Sequence, residues 1–340
     1  MIMSKANLKD YLTRSKNLFY VPIVILFFIP LLPIPIYVMH VLILSLLFAY
    51  LCTSWAIVSG FAGQVSLGHT CFYGIGAYTT TLLFHYYGLT PWIGGVIGVA
   101  FSAVFAFILG YACFRFRVRG PYFTFATLAS TVILQGLFIS QSQITGGELG
   151  IEMPYTGSPL FFQFTDKAHY YLIILVLWLG VLFLSRRIQN SKFGYYLFAI
   201  REDEEAAEAC GINTTKYKIL AFVLSAALTG FGGVFYSQYY LYVTPKAVYG
   251  LDRSFQISST AMVGGSDVWF GPSLGSFLIN PVVEWTRATY GGTFYTLPLV
   301  IYGLLMIFIG RFLPGGVSGM IQKGLISLKG EEGDQKGRSQ

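Results

Sequence analysis

The stretch GQVSLGHT, Gly63 to Thr70, is one residue away from a phosphate-binding loop. That loop reads G-x-x-x-x-G-K-[ST], and its lysine reaches the β- and γ-phosphates; here His69 stands in the lysine's place. A phosphate loop also needs a strand before it and a soluble helix after it, whereas these flanks are apolar runs. Metal chemistry fares no better. His40, His69, His85 and His169 lack the H-E-x-x-H spacing of a zinc protease. Cys52, Cys71 and Cys113 lie inside apolar stretches and Cys210 in a charged loop. No pair of them has metal-ligand or disulfide-framework spacing, so they read as small hydrophobes. These residues do not make an enzyme, and no cofactor or metal is expected in this chain.

Composition says where such residues must sit. Of 340 residues, 55% are hydrophobic and 11% charged, against about 25% charged in soluble domains. Apolar runs longer than about 18 residues place the chain in a bilayer. Ten candidate segments fall near 18–38, 40–60, 66–87, 91–114, 121–141, 170–185, 217–241, 254–269, 272–290 and 294–312. The sixth and eighth are short, and glycines and polar residues break the third and eighth. The first follows the basic head MIMSKANLKDYLTRSK, lacks a small-residue cleavage site and contains Pro30, Pro33 and Pro35. It reads as a retained span, not a removed signal peptide.

The net charge of +7 is spread over short segments between apolar runs. That is the pattern of cytoplasmic loops, not of a basic stripe for nucleic acid. Lys5, Lys9, Arg14 and Lys16 mark the head, and Arg115, Arg117 and Arg119 a later loop. Arg186, Arg187, Lys192, Arg201, Lys216 and Lys218 cluster in 186–218, while loop 142–169 sets Glu148, Glu152 and Asp166 against Lys167. The alternation fits two cytoplasmic termini and an even number of crossings; ten satisfies it, and so do eight with two re-entrant segments. The expected fold is an all-α polytopic membrane protein with a cytoplasmic segment 1–17, a membrane domain 18–312 carrying a cytoplasmic loop 186–216, and a cytoplasmic tail 313–340.

Two glycine-rich breaks stand out. The first holds Gln64, Ser66, Gly68, His69 and Thr70, followed by Thr79–Thr81; the second holds Gly264, Gly265 and Ser266. An unpaired polar group in hydrocarbon costs several kcal/mol, so both breaks face protein or water. They line a translocation path or they pack helices; His69 is a cargo contact or a hydrogen-bonded structural group. GQVSLG at 63–68 echoes GGSDVWFGPSLG at 264–275, either by chance or as halves of an inverted repeat. Asp267 and Glu284 are the few acidic residues within apolar segments, too sparse for the titratable site an ion-coupled carrier usually needs.

The charged stretch AIREDEEAAEACGINTTKYKILAF, 199–222, reads as a short helix from Glu202 to Cys210. Acids at its start suit the helix dipole, the alanines are strong helix formers, and Gly211 can end it in a left-handed cap. Asn213, Thr214 and Thr215 then offer caps for the next helix. Such a helix is either a solvated interfacial element or one that docks into a partner.

The stretch from REDEEAAEACGINTTKYKILAF to YLYVTP resembles the coupling-loop region of permease subunits in branched-chain amino-acid ABC importers. GFAGQVSLGHTCFYGIGAYTTTLL, RGPYFTFATLAS, GGSDVWFGPSLGS and GLLMIFIGRFLPGGVSG match the same family in type and order. The likeness runs from about Trp55 to Gly319 and is strongest to the M-type subunit. It implies that Glu202, Glu205, Ala206, Ala207, Glu208, Ala209 and Gly211 form a coupling helix seated in an ATPase subunit; Cys210 departs from the usual residue. It further implies a second, homologous permease subunit, two ATPase subunits that hydrolyse the ATP, an extracytoplasmic binding protein, and the plasma (inner) membrane of a prokaryote. The implied cargo is branched-chain aliphatic amino acids. Urea, short amides or other amino acids are the rival cargoes, and an ion-coupled carrier the rival mechanism.

Overall fold

Prolines and glycines set where the helices begin and end. A computed structural model describes residues 26–290, 296–312 and 316–320. Helix α1, Ile36–Ser59, starts directly after Pro35. Helix α2, His69–Tyr87, ends at Gly88, whose left-handed backbone closes the last turn onto Leu83 and Phe84. Helices α3, Pro91–Arg115, and α4, Pro121–Ser140, each open on a proline, where the missing N–H costs no hydrogen bond. Asp166 caps α5, Lys167–Gln189, by accepting from Ala168 N at 2.9 Å. After the charged loop come α8, Thr214–Tyr240, then α9, Pro245–Tyr249, α10, Leu251–Gly264, α11, Gly271–Tyr290, and α12, Leu297–Phe312.

Among the described residues, six helices are both long and apolar enough to cross a membrane: α1, α3, α4, α5, α8, and the stretch Leu297–Met320 that includes α12. The chain is therefore an all-α, multi-pass membrane protein. The sixth expected segment, taken as short, is a 23-residue helix, because Asp166 starts it upstream and polar Asn190 ends it. The eighth is short: α10 has 14 residues, about 21 Å at 1.5 Å per residue against a core of about 30 Å. Residues 18–25 of the first segment lie outside the described residues, as do the whole head and most of the tail; past them the chain runs through a short 3-10 turn at Ile29–Leu31 into α1.

Helix α1 is buried nearly along its whole length and forms the axis of the bundle. Helices α5, α8 and α11 pack against it, and α2 packs on α8 at backbone distance. A Cβ on Gly76 would lie 2.0 Å from the Gly230 carbonyl oxygen, and one on Gly233 would lie 1.9 Å from that of Tyr73. Small residues permit such approach in membrane helices, where packing rather than water exclusion drives association. Helices α3 and α4 bury only one face. Loop 142–169 is pinned by a two-residue antiparallel ladder: β1, Ile151–Glu152, pairs with β2, Tyr242–Val243, beyond the end of α8.

Candidate functional site

The charged loop folds as two helices, not the single one expected over 202–210. Helix α6, Lys192–Glu202, is capped by Ser191, and α7, Glu204–Ala209, by Asp203. Asp203 accepts from Glu205 N at 2.9 Å and Ala206 N at 3.0 Å. A side chain that captures free N–H groups starts a new helix, so Glu202 belongs to the end of α6. The expected exit is present: Gly211 is left-handed at φ +85°, and Asn213 caps α8 by accepting from Lys216 N at 3.0 Å.

Ion pairs fasten α7 to the rest of the chain. Lys218 Nζ of α8 lies 2.5 Å from Glu204 Oε1 and 4.9 Å above the Phe114 ring, with its side chain 1% exposed. Arg119 reaches Glu204 at 3.4 Å and Glu205 at 3.1 Å, and Arg117 reaches Glu208 at 3.6 Å. Thr214 donates to Glu208 at 2.7 Å. That hydroxyl, helped by Arg117, Arg119 and Lys218, holds the Glu208 carboxyl below its usual range. Ala207 faces inward and is buried, whereas Glu205, Ala206 and Ala209 are exposed. The face open to a partner is therefore Glu205–Ala206–Ala209. Glu204, Lys218, Arg117 and Arg119 were missed as a group. The one available signal was the opposite charge of FRFRVRG and REDEE, more than eighty residues apart.

The first glycine-rich break spans the gap between α1 and α2 and is stitched in place. Trp55 Nε1 donates to Ser66 O at 2.7 Å, and Ser59 Oγ accepts from Ser66 N at 3.2 Å. One face of α4 supplies the rest: Thr124 donates to Val65 O at 2.8 Å, Thr127 accepts from Leu67 N at 3.2 Å, and Thr131 donates to Gly68 O at 3.2 Å. Ser254 of α10 donates to Leu67 O. Backbone outside a helix survives at membrane depth only with such partners.

His69 is buried between two serines. Ser225 donates to Ser54 O at 2.6 Å, so its lone pair faces His69 Nε2 at 2.7 Å. The ring therefore carries its proton on Nε2 and accepts the Ser66 hydroxyl at Nδ1, 2.9 Å away. In this arrangement His69 clamps α8 to the break, and both ring nitrogens are engaged. A Cβ on Gly68 would meet the Thr127 carbonyl oxygen at 1.9 Å, so the glycine is set by helix approach. Gln64 and Thr70 differ: Gln64 Oε1 and Thr70 Oγ1 are buried without a hydrogen-bond partner.

The second break, between α10 and α11, is packed just as tightly. Gly265 is left-handed at φ +99°, and a Cβ on Gly264 would meet the Gly271 carbonyl oxygen at 2.0 Å. The two breaks meet: the Ser266 carbonyl oxygen lies 1.9 Å from where a Cβ on Gly60 would stand. The charged loop touches both. Arg201 of α6 donates to Gly60 O at 2.9 Å and its stem packs on Gly63. At the end of α5, Gln189 accepts from Trp269 N at 3.0 Å, and the Arg186 guanidinium lies 5.2 Å from the Trp269 ring. Regions far apart in sequence, 60–68, 186–211 and 264–270, form one contiguous unit.

GPSLG, Gly271 to Gly275, fits the G-x-S-x-G pattern of hydrolase nucleophiles. Its context does not. Ser273 sits within α11, not at a strand-to-helix turn, and its hydroxyl is held by Thr53 Oγ1 and Trp178 Nε1, both at 2.9 Å, with no histidine base. Its position is that of a packing serine between α1, α5 and α11.

Comparison with known proteins agrees with this architecture. A family model described as "Branched-chain amino acid transport system / permease component" matches residues 37–310. The chain is 30% identical over 304 residues to the high-affinity branched-chain amino acid transport system permease protein LivM of Salmonella typhimurium, covering 83% of this chain and 69% of the relative. Against LivM of Escherichia coli K12 the identity is 29%, over 86% and 72%. Against LivH of Salmonella typhimurium, a permease protein of the same kind of system, it is 24%, over 80% and 91%. No solved structure matches the chain. With one family model spanning both glycine-rich breaks and the charged loop, the chain belongs to the family of branched-chain amino acid transport system permease components.

Proposed function

We propose that this chain is one of two related permease subunits in an ATP-binding-cassette importer for branched-chain aliphatic amino acids. It would work in the plasma membrane of a prokaryote, with both termini cytoplasmic and an even number of crossings, ten, or eight with two re-entrant segments. ATP hydrolysis would take place on two partner ATPase subunits, and an extracytoplasmic binding protein would deliver the cargo. The observation that carries this reading is the Arg201–Gly60 bond. It joins the loop that presents α7 to the buried break between α1 and α2. A push on the exposed Glu205–Ala206–Ala209 face passes through α6 to that break, and from Gly60 to Ser266 in the second one. Packed interfaces shift between discrete arrangements rather than deforming smoothly, so this unit is suited to switch the bundle between outward- and inward-open states.

The test is uptake of labelled leucine into vesicles holding the chain with its co-purifying subunits, with and without internal ATP. Uptake that requires ATP supports the reading; uptake that follows an ion gradient instead points to a secondary carrier. Ala206→Arg and Ala209→Arg, both on the exposed face, should abolish uptake with the chain still folded. Ala207→Arg is a poorer probe because its side chain points into this chain's own packing. A different cargo is the second reading. The chain is 28% identical over 162 residues, 44% of its length, to the nucleoside ABC transporter permease protein NupC of Lactococcus lactis. Urea, short amides, other amino acids and nucleosides therefore belong in the uptake panel.

A further inference from the structure

Arg253 is a cation without a counter-ion inside the bundle. It is the third residue of α10, and its guanidinium carbon lies 5.1 Å from the Tyr236 ring, 5.7 Å from Phe48 and 5.8 Å from Tyr73. These rings come from α8, α1 and α2, the three central helices, and Phe48 sits at the midpoint of α1. Among the described residues Arg253 joins none of the ion pairs, and the nearby Glu284 carboxylate is engaged by Arg287 at 2.7 Å. Ring faces attract a cation, but they do not use the in-plane N–H fork that matches a carboxylate.

A second polar group stands beside it. Tyr73 is fully buried, and its hydroxyl faces the Arg253 guanidinium and makes no other hydrogen bond among the described residues. A charged fork and a phenol hydroxyl thus lie side by side among the same rings. A cleft of about 380 Å³ beside loop 142–169 is lined by His40, Lys167, Tyr239 and Tyr240. One layer of side chains separates it from Arg253: Tyr240 packs on Tyr236 at 4.5 Å, and Tyr236 carries the closest ring over Arg253.

We propose that Arg253, with the Tyr73 hydroxyl, binds the carboxylate of the cargo at mid-depth in the membrane, while the apolar rings accept an aliphatic side chain. The inference rests on the transport reading and assigns its contact residues. An intramembrane cation is expected to mark a transport path, and an arginine fork distinguishes a carboxylate from an amide.

Two measurements test it. In the full-length chain with its co-purifying subunits, phenylglyoxal labels reachable arginines, and mass spectrometry reads the Arg253 peptide. Leucine and isovalerate, which carry a carboxylate, should slow labelling of Arg253 at least about fivefold, and leucinamide should not. Equal labelling under all conditions, or no labelling at all, overturns the assignment. In vesicles, Arg253→Gln should lower leucine uptake at subsaturating concentration about tenfold or more, the scale of a lost charge-assisted hydrogen bond. Arg253→Lys should fall between it and the wild type. Both must assemble as wild type by size exclusion; wild-type uptake in an assembled Arg253→Gln protein overturns the proposal. If the wild type shows isovalerate protection but no ATP-driven leucine uptake, the leucine-import reading fails and the carboxylate site stands.

Discussion

Lys218→Met tests whether a buried ion pair anchors α7. The ammonium is 1% exposed, 2.5 Å from Glu204 and 4.9 Å from the Phe114 ring. Methionine keeps the length and the apolar stem and removes only the charge. Breaking one partner of a buried pair costs about 3–5 kcal/mol, because the other charge stays buried and unanswered. Glu204 keeps Arg119 at 3.4 Å, so the lower end, about 3 kcal/mol, is expected. Lys218→Met combined with Glu204→Leu replaces the pair with apolar atoms and should cost no more than about 1 kcal/mol. The assay is thermal unfolding of the detergent-solubilised protein. At about 2 °C per kcal/mol for a long chain, the single variant should lose about 6 °C and the double about 2 °C. A single variant as stable as wild type, or a double variant as weak as the single one, would refute the anchoring role of the pair.

Three other outcomes follow from the same geometry. Gly68→Ala should sharply lower the yield of folded protein, because its methyl carbon meets the Thr127 carbonyl oxygen at 1.9 Å, while Gly180→Ala, with open space around it, should be neutral. Normal folding with uptake alone abolished would return Gly68 to the translocation path. His69→Leu removes one partner from each of the buried Ser66 and Ser225 hydroxyls and should destabilise by about 2 kcal/mol, leaving the KM for uptake unchanged; a raised KM at normal stability would make His69 a cargo contact. For Glu208, a lowered carboxyl pKa means that the folded state keeps its charge to lower pH than the unfolded chain. Its stabilisation is complete above about pH 4.3, the ordinary glutamate value, and is lost as pH falls through the lowered one. Thr214→Val removes the main cause, so acid-induced amide exchange in 204–212 should begin at higher pH; an unshifted onset would exclude the Thr214 bond as that cause.

Membrane class, most helix positions, both breaks and the cap residues of the charged loop were legible because they depend on local quantities. Apolar run length, proline and glycine placement, and side-chain capping act within a few residues. Gly211 and Asn213 do what their types demand. The loop misled only where two capping options competed: Asp203, three residues before Ala206, outranked continuation of one helix through Glu202. What each break is for was not legible. Polar residues in an apolar run say that partners must exist, not which ones. Here they proved to be the threonines of α4 at 124, 127 and 131, with Ser225 and Ser254. The meeting of Gly60 with Ser266, the grip of Arg201 on that joint, the Lys218–Glu204 pair and the rings around Arg253 join positions separated by up to about two hundred residues. The amino-acid sequence by itself determined that the charges and polar groups within this bundle must be answered. The tertiary structure alone decided by whom, because helix packing brings distant side chains to hydrogen-bonding range and no local rule encodes that choice.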